Sequence, residues 1–403
     1  MKKRLYLKVI KKHFEENRQM LFLMGPRQVG KTTISRELLK DYRDGVYINW
    51  DNAKHRQMII DGGEEIAELA KLDLDKEEKS LIVFDEIHKF RDWKNFLKGF
   101  FDSYEKRSHI LVTGSSRLDT YRRGGDSLMG RYFLLRAHPL SIREILTDDV
   151  VEDFPAKQRN IKNLQLESLL CFGGFPEPFI KNTPRFYKRW KGLRHSMLFR
   201  EDIRDLTRVH ELSSMELLAE LIRGQVGGQT TYSSFSKKIK CSVETICRWI
   251  EILKSFYYCF EVRPWSKNVT RSLLKEPKLY LWDWSIVEND GFLFENFVAS
   301  HLLKAVHFWT DCGYGEYGLF YIRDKDKREI DFLLTKDEKP WVLIETKNSM
   351  NKSLSSYLEY FQEMLDVPHA FQVVLKTPFV NKNCFVEKGP IKVSAKTFLS
   401  QFV

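Results

Sequence analysis

A glycine-rich loop near the start of the chain has the residue types that bind phosphate. The segment Gly25–Thr32 reads G-P-R-Q-V-G-K-T and fits the pattern G-x-x-x-x-G-K-[ST] at every fixed position. Its glycines allow a tight turn, so main-chain N–H groups can surround phosphate oxygens at the start of a helix. Lys31 would reach the β- and γ-phosphates, and the Thr32 hydroxyl would ligate Mg²⁺. The loop therefore predicts a site for Mg²⁺ and ATP.

Two carboxylates follow the apolar run Leu81–Phe84. In a buried strand, Asp85 would stand at the C-terminal end and could hold Mg²⁺ through water. Glu86 could polarise the attacking water as a general base. The alternative interpretation is an exposed acidic strand end, but the pair follows the glycine loop in a strand-and-helix pattern, which favours hydrolysis.

Further polar residues could act on the γ-phosphate. Thr113, Ser115 and Ser116 come at the end of the next apolar run, where a hydroxyl could sense that phosphate, and the sequence does not rank them. Arg131 follows a glycine and could neutralise transition-state charge, in its own or a neighbouring subunit. It could equally be a surface arginine. The predicted nucleotide-contacting residues are Gly25, Pro26, Arg27, Gln28, Val29, Gly30, Lys31, Thr32, Thr33, Asp85 and Ser115.

The elements around these residues predict a parallel sheet covered by helices. Met20–Met24 is an unbroken apolar run, typical of a strand buried on both faces. Helical spacing follows the loop, and 45–51 and 110–113 add further strands. A charged helix is expected over 4–18 and an acidic, helix-prone segment over 64–78.

These motifs, taken in order, resemble a known family. G-P-R-Q-V-G-K-T, I-V-F-D-E-I-H, V-T-G-S-S and S-L-M-G-R followed by H-P-L-S-I-R-E are similar to prokaryotic AAA-type P-loop ATPases that carry a C-terminal domain of unknown function. A more distant resemblance links them to archaeal and origin-recognition-type ATPases. It implies an AAA-type core over residues 1–150. The family also has a segment like G-G-F-P-x-P, here at 173–178, which we interpret as part of a helical lid (151–210) or as a purely structural region.

Residues 211–285 predict a winged helix-turn-helix. Helices are expected over 213–223, 232–239 and 241–254, the last with Ser242 as its N-cap, and strands over 256–262 and 278–282. Between 235 and 280 the chain has ten Lys or Arg and four Glu. This excess favours contact with nucleic acid phosphates, DNA in the first place, although such modules also bind proteins.

Residues 286–403 predict a restriction-endonuclease-like α/β domain. Asp331 lies on one expected strand, and Glu345 and Lys347 share a face of the next. Asp331 and Glu345 would bind Mg²⁺, with Glu295 from a preceding helix as a further ligand, and Lys347 would orient water. The E-x-K pattern also occurs by chance on exposed strands. The C-terminal layout of the resembling family supports this fold more than it supports cleavage.

Bulk properties are those of a globular protein with several domains. The chain has 403 residues, 43% hydrophobic and 30% charged, with a net charge of +11. It has no apolar run long enough to span a bilayer and no signal-peptide pattern at its basic start. Its six cysteines are scattered without metal-ligand spacing, which favours a reducing cytoplasm.

Two functional hypotheses follow from the sequence. In the first, the protein hydrolyses ATP to control its engagement of DNA, with or without cleavage by the last domain. In the second, ATP gates a binding switch whose nuclease-like domain does not cut and binds DNA or a protein. A homo-oligomer fits either hypothesis.

Overall fold

The computed structural model describes residues 4–73, 78–114, 128–152, 154–204, 212–229, 231–266, 276–351 and 353–403. The chain forms two compact units, Met1–His138 with Asp148–Val150, and Pro139–Thr147 with Val151–Val403. In these ranges, no helix combines the length and apolar character needed to cross a membrane. All six cysteines are free, and Cys259 and Cys384 are buried. The division into four domains stays a prediction.

The first unit is built on a parallel sheet. Its strands are β1 (Met20–Met24), β2 (Val46–Asn49), β3 (Ser80–Asp85), β4 (Ser108–Gly114) and β5 (Tyr132–Arg136). They lie in the order β2-β3-β4-β1-β5, and every pairing is parallel. β1 and β3 are buried along their whole length, which suits the apolar runs Met20–Met24 and Leu81–Phe84. The carboxyl ends of β1, β3 and β4 meet at one edge of the sheet.

Helices cover this sheet. They are α1 (Tyr6–Glu16), α2 (Lys31–Leu39), α3 (Ala53–Ile60), α4 (Glu64–Leu69) and α5 (Trp93–Tyr104). The predicted lead-in helix and the helix after the glycine loop are confirmed as α1 and α2. Helix α3 was not predicted, and its start is fixed by Asn52, whose side chain accepts hydrogen bonds from two backbone N–H groups.

The second unit begins with helices. They are α6 (Ile142–Leu146), α7 (Asn163–Phe172), α8 (Pro176–Lys181), α9 (Pro184–Ser196), α10 (Leu212–Arg223), α11 (Tyr232–Ile239) and α12 (Val243–Ser255). A π-helical stretch, Met197–Ile203, continues α9. Ser242 caps α12 as predicted, because its side chain accepts a hydrogen bond from Thr245 N.

The remaining strands form one mixed sheet. They are β6 (Cys259–Pro264), β7 (Lys278–Leu281), β8 (Tyr317–Arg323), β9 (Glu329–Lys336), β10 (Lys339–Lys347), β11 (His369–Val374) and β12 (Ile391–Ser394). Their order is β12-β11-β10-β9-β8-β6-β7. The predicted antiparallel pair β6–β7 forms, but β6 also pairs with β8. The expected wing is therefore the edge of a larger sheet, a pairing that local sequence patterns do not encode.

Three helices accompany this sheet: α13 (Asp290–Asp311), α14 (Ser356–Leu365) and α15 (Ala395–Leu399). Helix α13 has 22 residues, begins at the cap Asn289 and is buried over most of its length. It packs against β7, β8 and β10. This arrangement brings Glu295, near the start of α13, to the strands that carry the other predicted acids.

Candidate nucleotide site and acidic cluster

The glycine loop is held in a conformation that requires its glycines. Gly25 has φ +152°, and a Cβ there would stand 2.3 Å from the backbone oxygen of Ala137. Ala137 in turn donates a backbone hydrogen bond of 2.6 Å to Met24. Gly30, at the N-cap of α2, is left-handed with φ +102°. Substitution at Gly25 would thus displace the segment after β5, and the loop opens directly onto the N-terminus of a helix.

Lys31 is buried at the start of α2. Its Nζ donates hydrogen bonds to two main-chain oxygens of the loop, 2.7 Å to Gly25 and 2.9 Å to Pro26. Burial lowers the pKa of Lys31 to about 8, although the charges of Glu86 and Asp85 act in the opposite direction. The ammonium group is thus pre-positioned in the loop without a direct carboxylate partner among the described residues.

Asp85, at the end of β3, accepts hydrogen bonds from three hydroxyl groups. Its Oδ1 accepts a hydrogen bond of 2.6 Å from Thr113, and its Oδ2 accepts one of 3.3 Å from Thr32. The Tyr47 hydroxyl also donates to Oδ2. Burial, followed by the hydrogen bond to Asp85, raises the pKa of Tyr47. Thr32 and Asp85, the two predicted Mg²⁺ ligands of this site, are therefore in hydrogen-bond contact, and Thr113 also bonds to Asp85. Metal binding there stays a prediction.

Glu86 lies next to this group in a left-handed conformation with φ +58°. Its Oε2 is buried and accepts no hydrogen bond in the described part of the chain. His88 Nε2 is 3.5 Å away and Lys89 Nζ is 3.8 Å away. Burial raises the pKa of Glu86, while Lys31 and Lys89 act to lower it. One carboxylate oxygen of Glu86 is therefore buried without a hydrogen bond from the described residues, and the general-base role of Glu86 stays a prediction.

Residues far from the motif hold the loop in place, and sequence reasoning missed them. Arg4 is buried and donates to the carbonyl oxygens of Val29, in the loop, and His138, after β5, the latter at 2.6 Å. Tyr6 OH accepts a hydrogen bond of 2.8 Å from His138 N. A basic residue before a helix gave no signal of this role, because its partners lie far away along the chain.

The structure does not bring Arg131 to the phosphate loop of its own chain. Arg131 precedes β5, and the residue after it, Tyr132, pairs with Met20 at the amino end of β1. The loop follows Met24 at the opposite end. Arg131 instead pairs with Asp102 on α5, at 2.7 and 2.9 Å. The structure thus places Arg131 away from the phosphate loop of its own chain, and a role in transition-state charge, in its own or a neighbouring subunit, stays a prediction.

Other predicted contacts have less definite outcomes. Ser115 and Ser116 lie outside the described residues. Arg27, Gln28, Val29 and Thr33 belong to the loop or the first turn of α2, as expected. Gln28 is strained, with φ +62°, and its buried Oε1 accepts no hydrogen bond within the described ranges.

The predicted acids of the C-terminal sheet already have protein partners. Asp331 Oδ2 accepts hydrogen bonds from Thr346 N and Thr346 Oγ1, both at 2.8 Å. Lys347 Nζ is 2.5 Å from Glu345 Oε1, while Oε2 of Glu345 accepts no hydrogen bond in the part that the structure describes. The antiparallel register of β9 and β10 runs to Phe332 opposite Ile344, next to Asp331 and Glu345. Their joint role at a metal site stays a prediction.

Glu295 belongs to what we call the acidic cluster, namely Glu295, Glu329 and Asp331 around Lys278. Tyr280 OH donates to Glu295 Oε1 at 2.7 Å. Lys278 Nζ is 2.7 Å from Glu329 Oε1 and 3.5 Å from Glu295 Oε1. Burial and the charge of Asp331 raise the pKa of Glu295 to about 7, although Lys278 acts against this shift.

The three-carboxylate metal site predicted from Glu295, Asp331 and Glu345 fits poorly with this arrangement. Glu295 is bound by Tyr280 and Lys278, and one oxygen of Asp331 is bound by Thr346. Among the described residues, no group of three or more His, Cys, Asp or Glu side chains could hold a metal ion. The sequence could not reveal this, because Lys278 comes from a distant strand.

Several of the ten basic residues between 235 and 280 pair with carboxylates of the protein itself. Lys278 lies in the acidic cluster, Lys254 pairs with Glu251 and Glu261, and Arg263 pairs with Glu261. Three further basic residues, 267, 271 and 275, lie outside the described residues. The exposed remainder is on or beside α11 and α12: Lys237, Lys238, Lys240 and Arg248.

Comparison with known proteins places three family matches along the chain. Residues 17–146 match an AAA domain. Residues 163–289 and 290–383 match two domains of unknown function, DUF8612 and DUF4143. The first match covers the glycine loop, Asp85 and Glu86, so the chain contains an AAA-type ATPase-like domain. The other two matches say nothing about a winged helix or a nuclease-like fold.

Several relatives share most of the chain. The uncharacterized protein MJ1544 of Methanocaldococcus jannaschii is 24% identical over 342 residues, which are 80% of this chain and 73% of that protein. A second protein of that organism, MJ1637, is 24% identical, covering 85% and 78%. The uncharacterized protein Rv2008c of Mycobacterium tuberculosis is 20% identical, covering 66% of this chain and 55% of its own length.

Solved structures show only a distant likeness. AMPPCP-bound DnaA from Aquifex aeolicus is 14% identical with a TM-score of 0.34, covering 67% of this chain and 85% of that one. PCH-2 of C. elegans is 14% identical with a TM-score of 0.27, covering 62% and 67%. A likeness at these scores is too weak to indicate a function for this chain.

Proposed function

We propose that this protein binds Mg²⁺–ATP at the glycine loop and hydrolyses it. The observation that carries the proposal is the buried Lys31, whose hydrogen bonds in the described part of the chain go to two loop carbonyls. It lies beside Glu86, one of whose carboxylate oxygens is buried and accepts no hydrogen bond there. An ammonium group held in this way is ready to exchange carbonyl oxygens for phosphate oxygens. The AAA-domain match over 17–146 supports the same function.

Each residue of the site has a part in this proposal. Main-chain N–H groups of the loop and the first turn of α2 bind phosphate oxygens, and Lys31 binds the β- and γ-phosphates. Thr32 and Asp85 would hold Mg²⁺, which neutralises charge on the phosphates. Glu86 orients a water molecule and accepts its proton. Thr113 and Tyr47 hold the Asp85 carboxylate in position.

The test is the substitution Glu86→Gln, which removes the base and keeps the size of the side chain. We expect ATP turnover to fall about 10²- to 10³-fold, while ATP is still bound in the presence of Mg²⁺. Glu37→Gln on α2, where the carboxylate pairs with Lys40 at 2.6 Å, is the matched control and should retain turnover. Equal turnover by Glu86→Gln and wild type would contradict the assignment of Glu86.

We further propose that ATP binding or hydrolysis is coupled to nucleic acid engagement, DNA in the first place, through the surface of Lys237, Lys238, Lys240 and Arg248. All four side chains are exposed, and the stretch 237–240 contains no acidic residue, which leaves these charges available for phosphates. A titration of double-stranded DNA at several salt concentrations tests this. Each Lys→Gln substitution should lower the salt slope by about one, whereas Lys54→Gln on α3 should not. A salt-independent wild type would contradict the proposal.

For the C-terminal sheet we propose binding without cleavage, the second of the two sequence hypotheses. The internal partners of Glu295 and Asp331 favour it over a Mg²⁺-dependent nuclease. Wild type, Asp331→Ala and Glu345→Ala should then behave alike in a Mg²⁺-dependent DNA and RNA cleavage assay. Cleavage by wild type that both substitutions abolish would restore the nuclease hypothesis.

A further inference from the structure

We propose that Lys278 is the resident cation of the acidic cluster, so that an ammonium group from β7 supplies the positive charge that Glu295 would otherwise take from a divalent metal ion. The inference extends the proposed binding role of the C-terminal sheet and is independent of the ATPase proposal, which concerns other residues. It predicts that removing one side chain turns this cluster into a metal site.

The position of Lys278 supports this role. Its side chain is almost completely buried, at 2% exposure, although lysine is among the residues least often buried without a partner. Nζ lies 2.7 Å from Glu329 and 3.5 Å from Glu295, and it stands 5.4 Å from the centre of the Tyr321 ring. Asp331 is a third acid near this pair, since its charge acts to raise the pKa of both Lys278 and Glu295.

Other groups close the space around Glu295. Tyr280 donates to Oε1, the same oxygen that faces Lys278. On another side is the backbone of Gly227, where an added Cβ would stand only 2.7 Å from Glu295 Oε1. A Mg²⁺ ion demands octahedral geometry and usually keeps several of its waters. The packed carboxylate offers little room for such an ion while Lys278 is present.

Lys278 supplies the counter-charge of Glu295. Arg323 also pairs with Glu329, at 2.9 Å, but no basic side chain other than Lys278 pairs with Glu295 in the described residues. Without Lys278, Glu295 would lose its counter-charge, and a divalent ion could replace it once the lysine side chain is gone. Methionine in place of lysine keeps most of the aliphatic bulk and removes the ammonium group with its charge and N–H donors.

The experiment counts bound Mn²⁺ on the full chain without nucleotide, by electron paramagnetic resonance and calorimetry. All variants also carry Asp85→Asn, which removes metal binding at the glycine loop. With Lys278 present, Glu295→Gln should leave the number of bound Mn²⁺ ions unchanged. Lys278→Met should gain one Mn²⁺, which is lost again in the double variant with Glu295→Gln. The melting temperature of Lys278→Met should be roughly 10 °C lower than that of the protein with Lys278 when no metal is present, and Mn²⁺ should restore part of the difference.

The matched control is Lys304→Met, which removes an equally buried lysine that pairs with Glu144 at 2.5 Å. It should be destabilised without gaining a metal ion. The proposal fails if Glu295→Gln removes a Mn²⁺ ion while Lys278 is present, or if folded Lys278→Met gains none. Should Lys278→Met not fold, the first of these comparisons still decides, because it uses the intact lysine.

Discussion

Each unit contains a buried lysine close to carboxylates, and the two lysines are held in opposite ways. Lys31 donates to main-chain oxygens of its own loop, and the nearby Glu86 carboxylate has an unsatisfied oxygen. Lys278 is bound directly to Glu329 and lies within 3.5 Å of Glu295. The positive charge of Lys31 is therefore available to a ligand, whereas that of Lys278 is neutralised by neighbouring carboxylates.

The pKa values of the two lysines express this difference. Burial lowers the pKa of Lys31 to about 8, because no carboxylate pairs with it closely enough to compensate. Burial also acts to lower the pKa of Lys278, but Glu295, Asp331 and Glu329 together raise it above the ordinary value. A buried cation that its own protein does not neutralise is a sign of a ligand site. One that is fully neutralised indicates a structural role.

The largest expected effect comes from removing each lysine in turn. Lys31→Met should weaken ATP binding at least 100-fold, because it removes the charge on the β- and γ-phosphates, and should leave stability without ATP unchanged or higher. Lys278→Met should keep ATP affinity and lose about 3–5 kcal/mol of stability. Titration with a fluorescent ATP analogue and urea unfolding measure both quantities. If both substitutions lower ATP affinity, or both lower the free energy of unfolding, the proposed contrast between the two lysines is wrong.

The sequence predicts the first site much better than the second. The glycine loop, Lys31 and Thr32 are contiguous, and Asp85 and Glu86 end a buried strand, so a local pattern contains most of the site. Its supports are not local: Arg4 and Tyr47 act through pairings that only the folded chain creates. Arg131 also has a suitable sequence context, but the direction of β5 places it at the wrong edge of the sheet.

Lys278 illustrates the limit of charge counting. In the sequence it is one of ten basic residues and contributes to a predicted nucleic acid surface. In the fold, β7 forms the edge of the mixed sheet and carries Lys278 inward, to acids that come from α13 and β9. Composition gives the number of charges but not their partners. Partners are set by strand order, which no local pattern in this chain encodes.

A smaller expected effect is the uptake of protons by Lys31 when ATP binds. Since its pKa is about 8 without ligand, part of the population is neutral at pH 8.5. The triphosphate should raise this pKa, so ATP binding at pH 8.5 should take up a fraction of a proton. Calorimetry in buffers with different ionisation enthalpies measures the uptake. Lys31→Arg, which stays charged at this pH, should bind with less uptake, and equal uptake by both proteins would contradict the assignment.

The smallest expected effect concerns the pH dependence of stability at the acidic cluster. The pKa of Glu295 is about 7 in the folded protein, against an ordinary value of 4.5. Between pH 4.5 and 7 the folded state therefore binds more protons at this group than the unfolded state does, and stability must fall as the pH rises through this window. One group contributes at most about 1.4 kcal/mol per pH unit.

Glu295→Gln isolates this contribution, because glutamine does not titrate and has nearly the same shape. Urea unfolding at several pH values should show a flatter decline for the variant than for wild type between pH 4.5 and 7. Glu288→Gln, an exposed residue on the chain segment before α13, should keep the wild-type slope. An unchanged slope in Glu295→Gln would mean that Lys278 lowers the pKa of Glu295 to an ordinary value. The acidic cluster would then be neutralised even more completely than the distances of its ion pairs suggest.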